Sequence, residues 1–537
     1  MNKILNKWKF RFNKLQADPK HFLKEFYYFK LSSLGRKRKY QEFKFFFDEI
    51  TTFVSNYNVN SLKFNDEYLW PYIRNHCWIH MNSVALGKSN RKYLNPIAIQ
   101  NAHYKQVPIN TRLNLKYACD AYEIDEIDET KLDFLFFINT NGTEEILIND
   151  EIYHRIIDPF YEVAQKIGKS EKVEILKSNN INIFSWKKYI HKSKIIFLEY
   201  VIPDKFTLNS SYDKGFFSKI KQYIPSIILT DHRHLEEIIS YELHVKNQYI
   251  KLLKKLNPKI ICLHGFHYQG PLISAADALG ILTVDLQHGI QVGWNPLYNV
   301  HTELPPSGYQ AYPDYFAVWG HKEYENILKV FNSDKHKPIL MGNPWLKKIE
   351  DFSVQLSEKI VERIRNYEVS ILIIMQNQTT IPKLFLDIIE QSSDNILWII
   401  RHHPKGEKYN PQDFSKSKNI LIDEDIDNIL FNELFKHIDI AISEGSTLAM
   451  EANNFGINNI IIGETGKDNY KEEINNGTFF YLKDTNDFNI IFKKIIASAK
   501  EPKAKLIENI DTKYFLKSLL VKAKDKQETF QKNIKKK

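Results

Sequence analysis

Residues 439–462 read DIAISEGSTLAMEANNFGINNIII. An apolar run at 439–442 predicts a buried strand. The turn Ser443-Glu444-Gly445 follows, then a helix over 446–455 and a second apolar strand over 458–462. A strand, a helix and a strand in so few residues make one βαβ unit, and short strands apolar on both faces belong to a parallel sheet. The same alternation extends outward on both sides. Upstream lie strands at 369–375, 395–400 and 419–422, with helices at 382–391 and 426–435; downstream come 479–482 and a helix at 488–499. A separate series precedes it, with strands at 259–263, 281–286, 315–319 and 339–341 and helices at 270–279 and 322–331. Earlier strands at 132–138 and 194–201 and a long helix at 232–256 lead into that series. Two such series predict an α/β fold of two doubly wound, Rossmann-like domains facing across a cleft. Residues 111–340 would form the first and 341–500 the second. Residues 1–110 read as a basic, aromatic, mostly helical extension, and 501–537 as a basic helical tail.

Composition agrees with a globular chain of this kind. Of 537 residues, 43% are hydrophobic and 26% charged, which excludes a disordered protein. No apolar run is long enough to span a bilayer, and the N-terminus lacks the pattern of a signal peptide. Three widely spaced cysteines give neither a disulfide framework nor a zinc set and fit a reducing cytoplasm. The net charge of +9 sits at the ends: residues 1–50 hold 13 Lys/Arg against 5 Asp/Glu, and residues 501–537 hold 11 against 5. A nucleic-acid enzyme would carry its basic residues along a groove through the body, so no nucleic-acid partner is expected. Basic ends interleaved with aromatics, such as Trp8, Phe10 and Phe12, suit peripheral contact with an anionic membrane at its inner face.

Ligands of doubly wound folds bind at the carboxyl ends of the strands. In the second series those ends carry Gly445-Ser446-Thr447, with Glu451 in the following helix, and Arg401-His402-His403-Pro404-Lys405. Gly445 permits close backbone approach, Ser446 or Thr447 can cap the helix, and the helix start attracts an anion. His403, Arg401 and Lys405 can neutralise a phosphate. Gln376, just after the first strand of this series, can meet a base or phosphate, and Asn343 sits in Gly342-Asn343-Pro344 at the crossing between domains. In the first series, Asp285-Leu286-Gln287-His288-Gly289 and His264-Gly265-Phe266-His267 end neighbouring strands. A neutral histidine in a cleft is a suitable general base. There is no P-loop, no GxGxxG turn and no GxSxG elbow. The acidic runs at 125–129 and 423–427 read as solvated loops and no metal is expected.

Together, the two βαβ series, Gly342-Asn343-Pro344, Arg401-His402-His403-Pro404 and Gly445-Ser446-Thr447…Glu451-Ala452 resemble the GT-B glycosyltransferases. More narrowly they resemble bacterial capsule and surface-polysaccharide transferases, in which a Gln-His-Gly loop recurs. The His403-Pro404 pair is similar to the His-Pro motif of bacterial sialyltransferases, which bind the phosphate of a CMP-sugar. His-Pro loops also occur in glycerol-phosphate polymer transferases. The resemblance implies a nucleotide-sugar-dependent, metal-independent, inverting class of reaction, with a sugar of the Kdo or sialic-acid type passed to a glycan or lipid-linked acceptor. It implies donor binding by Arg401, His403, Pro404, Lys405, Gly445, Ser446, Thr447, Glu451, Gln376 and Asn343. His288, Asp285 and His264 are the candidates for catalysis; no acidic-acidic-Gly motif supplies the base. A CDP-alcohol polyol-phosphate transferase, a UDP- or GDP-sugar transferase, a two-domain nucleotide-sugar epimerase and a non-catalytic partner in polysaccharide assembly are the other readings of the same residues.

Overall fold

Two parallel sheets organise the chain in the computed structural model, which describes residues 36–64, 66–85, 121–138, 144–175, 189–198, 232–293, 295, 297–299, 304–352, 355–375, 382–403, 408–497 and 504–536. The first has eight strands in the spatial order Lys337–Leu340, Tyr315–Val318, Leu282–Leu286, Pro258–Leu263, Leu132–Ile138, Ser170–Ile175, Lys194–Phe197, Ala121–Glu123. The second has six, in the order Ile420–Leu421, Ile396–Arg401, Val369–Ile374, Ile440–Ser443, Asn458–Ile462, Phe480–Leu482. Every pairing within both sheets is parallel. The predicted pair of doubly wound domains is therefore present.

The order of the second sheet, numbered along the chain, is 3-2-1-4-5-6. Its winding reverses between Val369–Ile374 and Ile440–Ser443, and that switch point opens a crevice outside the strand ends. The first sheet reverses between Leu132–Ile138 and Pro258–Leu263. Its central strands are buried along their length, as in Leu282–Leu286, and need no alternating pattern because helices cover both faces.

The helices Arg36–Asn56 and Trp70–Ala85 share the core of the first sheet, where Ile50, Phe53, Trp70 and Ile73 are buried with Leu135 and Ile261. Residues 1–35, with the aromatic-basic stretch expected to meet a membrane, lie outside the described residues. No helix among the described residues is long and apolar enough to cross a membrane.

The chain leaves the second sheet and returns to the first. Glu508 N–H donates to the Trp319 carbonyl (2.8 Å), and the returning strand of backbone presses on Gly320 and Gly342. Gly342 has φ 67°, and a Cβ there would collide with the Glu508 carbonyl, so two constraints demand glycine at one position. The basic C-terminal helix Thr512–Lys536 then docks through Phe515, Leu516, Leu519 and Ala523 into the core that holds Phe160 and Val284. Lys526 locks it, donating to Asp314 Oδ2 (2.8 Å) and the Ile281 carbonyl (2.9 Å). Its outer face keeps Lys513, Lys517, Lys524 and Lys532 in solvent.

Leu519 is wholly buried and Val521 is 63% exposed on the same helix. Leu519→Ala should cost about 2–4 kcal/mol in chemical denaturation, and Val521→Ala within about 0.5 kcal/mol. Equal effects would mean that the helix is not docked.

Candidate active site

A cavity of about 700 Å³ lies between the carboxyl edges of the two sheets. That is the size of a pocket for a substantial small molecule. From the second sheet it is lined by Met375, Arg401, His403, the turn Gly445-Ser446-Thr447 and Glu451. From the first it is lined by Arg155, Gly289, Ile290, Val292 and residues 145–147. The parallel strands place these groups. Ile374 pairs with both Arg401 and Ser443, so the three strand ends finish level and their following loops converge.

The turn after Ser443 needs its glycine. Gly445 has φ 110°, and a side chain there would press on Gly466 Cα at 3.1 Å. Ser446 Oγ accepts from Leu448 N–H (3.2 Å) and opens the seven-residue helix Leu448–Asn454; Thr447 makes no capping bond. The Tyr470 hydroxyl donates to the Ser446 carbonyl (2.6 Å), which holds the turn from behind. Lys322, on the first domain's helix His321–Phe331, donates to the Asn469 carbonyl (2.7 Å) and pairs with Glu473 (2.7 Å). The second domain's turn is thus braced by a lysine of the first.

Arg401 lines the cavity and is also part of its supporting wall. Its Nη1 donates to the Ile429 carbonyl (2.7 Å), and its guanidinium lies over the Phe431 ring at 3.7 Å. Burial pushes its pKa down to about 9, which leaves it cationic at neutral pH. His402, beside it, also lines the cavity, but both its ring nitrogens are taken: its Nδ1 bonds Asp427 Oδ2 (2.9 Å) and its Nε2 accepts from Tyr409 N–H (3.0 Å). This fixes the tautomer with the proton on Nδ1. Asp427 is the last residue of the acidic run expected to be solvated. It is instead an anchor, 12% exposed in its side chain; burial opposes its charge, but the bonds from His402 and Lys408 win and hold its carboxyl below the usual range. His403 lines the cavity and is half-buried. Gln376, Pro404 and Lys405 lie outside the described residues. Asn343 is not part of the cavity lining: its side chain accepts from Trp345 N–H (3.3 Å) and caps the helix Pro344–Lys348.

In the first domain, Gly289 lines the cavity and His288 stands directly behind it, half-buried. Gln287 fixes this loop, accepting from Trp319 N–H (2.6 Å) and donating to the Gly289 carbonyl (3.0 Å). Burial lowers the pKa of His288, so its ring is neutral at pH 7. His264 is fully enclosed; burial, then the nearby His288, pushes it down to about 4. Asp285 is also fully enclosed. It accepts from Phe266 N–H (3.2 Å) and meets the Tyr298 hydroxyl (3.3 Å), tying the two histidine loops together. Burial raises its pKa to about 8, so it holds its proton at neutral pH. It therefore acts as a strut between the two loops.

Arg155 had no signal in the sequence. It follows the hairpin Glu145–Ile148/Glu151–His154 and reaches across the cleft to Glu451 Oε1 at 3.5 Å. Glu451 is buried, which raises its pKa against the opposing pull of Arg155.

No family model and no curated protein matches this sequence. Solved structures give only loose likenesses. The UDP-GlcNAc 2-epimerase of Neisseria meningitidis bound to UDP-GlcNAc has a TM-score of 0.46 and 15% identity, over 72% of this chain and 99% of that one. The UDP-GlcNAc 2-epimerase of Methanocaldococcus jannaschii gives 0.43 and 12%, over 73% and 99%. A UGT transferase of Siraitia grosvenorii in complex with UDP gives 0.39 and 11%, over 73% and 94%. None of the three reaches a TM-score of 0.5, and no functional conclusion rests on them.

Asp285 predicts a pH signature. A carboxyl whose folded pKa is raised contributes fully below about pH 4, and that contribution is lost as pH rises through about 8, since the unfolded chain gives up the proton first. Asp285→Asn removes the titration. Its stability relative to wild type should improve by about 2–4 kcal/mol between about pH 5 and pH 8.5 in urea denaturation. A difference that does not change with pH would contradict the burial assigned to this carboxyl.

Proposed function

We propose that the protein is a nucleotide-sugar-dependent glycosyltransferase. The observation that carries this reading is the single cavity in which Arg401, His403 and the Gly445–Thr447 turn of one sheet face Arg155 and the His288-Gly289 loop of the other. A cationic corner on one wall and a neutral histidine just behind the opposite wall suit a donor on one side and an acceptor on the other.

The donor phosphate lies against Gly445, Ser446 and Thr447, with Arg401 and His403 beside it. As the bond from the anomeric carbon to the phosphate oxygen breaks, the electron pair passes to that oxygen. The guanidinium and imidazole stabilise the growing charge. Glu451 holds donor hydroxyls or stays paired with Arg155. The acceptor hydroxyl attacks the anomeric carbon from the first domain's side and gives its proton to His288, whose lowered pKa keeps it ready to accept. Inversion follows from a single attack opposite the leaving phosphate.

The likeness of His403 to the His-Pro motif supports a cytidine nucleotide; the geometry itself supports a phosphate and does not choose the base. The exposed lysines of the Thr512–Lys536 helix suit an acceptor held at an anionic membrane.

Thermal shift with CMP, CDP, UDP, GDP and TDP tests the reading. A ligand at 100 times its Kd adds about 2.7 kcal/mol, so one nucleotide class should raise Tm clearly. His403→Ala should weaken that ligand by about tenfold or more, as expected for one charge-assisted contact. No shift with any nucleotide, or a shift that His403→Ala leaves untouched, would overturn the donor site.

A further inference from the structure

The helix Thr512–Lys536 is packed on one side and charged on the other. At 3.6 residues per turn, Lys513, Lys517, Lys524, Lys532 and Lys535 fall on one arc roughly 100° wide and about 33 Å long. All five are exposed. Tyr514 and Val521 lie on the same arc, 73% and 63% exposed. Glu528 is the one acidic side chain within it, and Asp525 borders it. Five positive charges therefore meet one negative charge on this face.

The lysines of the helix divide by side. Those turned toward the sheet are spent: Lys526 pairs with Asp314 at 2.8 Å, and Lys522 lies over the Tyr315 ring at 4.9 Å. On the arc, among the described residues, the only ion pair is Lys524 with Glu528, at a loose 3.9 Å. So exposed a pair holds its charges weakly and leaves the lysine open to another partner. The apolar side of the helix, with Phe515, Leu516 and Leu519, is already filled by the core. The helix is thus not one that inserts its apolar face into lipid. It presents a fixed basic ridge with two apolar side chains near one end.

The chemistry of the ridge selects its partner. A second copy of the helix would set lysine against lysine. A nucleic-acid duplex offers phosphates to the lysines and leaves Tyr514 and Val521 without a counterpart. An anionic bilayer offers both. Its headgroups attract each nearby lysine, by roughly fivefold in affinity, and its interface is where a tyrosine ring settles.

The helix also runs against the strands. Its start is tied by Glu508 to the Trp319 carbonyl, just past the strand Tyr315–Val318. Further along, Lys526 reaches the Ile281 carbonyl and Asp314, just before the strands Leu282–Leu286 and Tyr315–Val318. The Tyr514 end of the arc is therefore at the carboxyl edge of the first sheet, the edge that borders the cavity.

We propose that this arc is a docking surface for an anionic lipid bilayer. Its lysines sit among the headgroups, and Tyr514 and Val521 rest against the acyl boundary. The bilayer lies along the side of the first domain and meets the cavity's edge at Tyr514. This surface goes beyond the nucleotide-sugar reading and does not rest on it, so either can fail while the other stands.

Co-sedimentation of the full-length protein with sucrose-loaded vesicles, in about 0.1 M salt, tests this. Vesicles of equal parts phosphatidylglycerol and phosphatidylcholine should carry the protein down, and vesicles of phosphatidylcholine alone should not. Lys513→Gln, Lys517→Gln and Lys524→Gln combined should weaken binding by about 100-fold. Lys251, Lys329 and Lys359 are exposed on other helices and give a charge-matched control. Their combined replacement by Gln should change binding by less than about threefold, because salt screens charges far from the contact. Tyr514→Ser with Val521→Ser should weaken binding by about tenfold. All the replaced side chains are exposed, so each variant should keep the wild-type Tm. No binding to the anionic vesicles, or binding that survives the first triple substitution, would overturn the surface. So would equal losses in the two triple variants, which would mean attraction by net charge alone. Displacement by a random-sequence DNA duplex, with no loss in the double serine variant, would overturn the lipid assignment in favour of a nucleic acid.

Discussion

A parallel strand cannot turn back on itself through a hairpin; each must be followed by a crossover that returns the chain to the opposite edge. That constraint places every loop following a strand on one edge of its sheet. Two sheets built this way and set edge to edge bring two families of loops to one cleft. Here Arg401, Ser443 and Ile374 end three adjacent strands in register, and the groups that follow them line one cavity. Across the cleft the loops at His264 and His288 follow two paired strands, Pro258–Leu263 and Leu282–Leu286. Buried Asp285 ties one loop to the next. The chemistry of the site is therefore a consequence of strand direction, and the side chains refine it.

The two halves are not independent modules on a string. Lys322 of the first domain holds Asn469 and Glu473 of the second, and Tyr470 carries that restraint to the Ser446 turn. The chain's return past Gly320 and Gly342 to the Thr512–Lys536 helix closes the link from the other side. Such ties join the two halves beside the cleft. They also explain why lysines at the C-terminus, which in a sequence look like a solvated tail, include one that pairs with buried Asp314.

Much of this was legible before any coordinates. Strands apolar on both faces, such as 369–374 and 440–443, declare a parallel sheet, and residues just beyond them gather at its carboxyl edge. That logic locates Arg401, His403 and the Gly445 turn. It fails where a side chain's partner is remote in sequence. Asp285 sits at a strand end like a catalytic residue, yet its carboxyl turns inward to Phe266 and Tyr298. Asn343 sits at a conspicuous crossing and merely caps a helix. Asp427 belongs to an acidic run and serves His402, 25 residues away. His154 ends a hairpin and Arg155 follows it, with no periodic signature, and only the tertiary fold brings them to His264 and Glu451.

Hydrogen–deuterium exchange on the full chain, with and without a saturating nucleotide-sugar, tests the central claim that one ligand bridges both sheet edges. Protection should appear together in the amides of residues 445–451 and 401–403 and in those of 264–268 and 286–290. Protection confined to one sheet edge, or located away from this cavity, would contradict it.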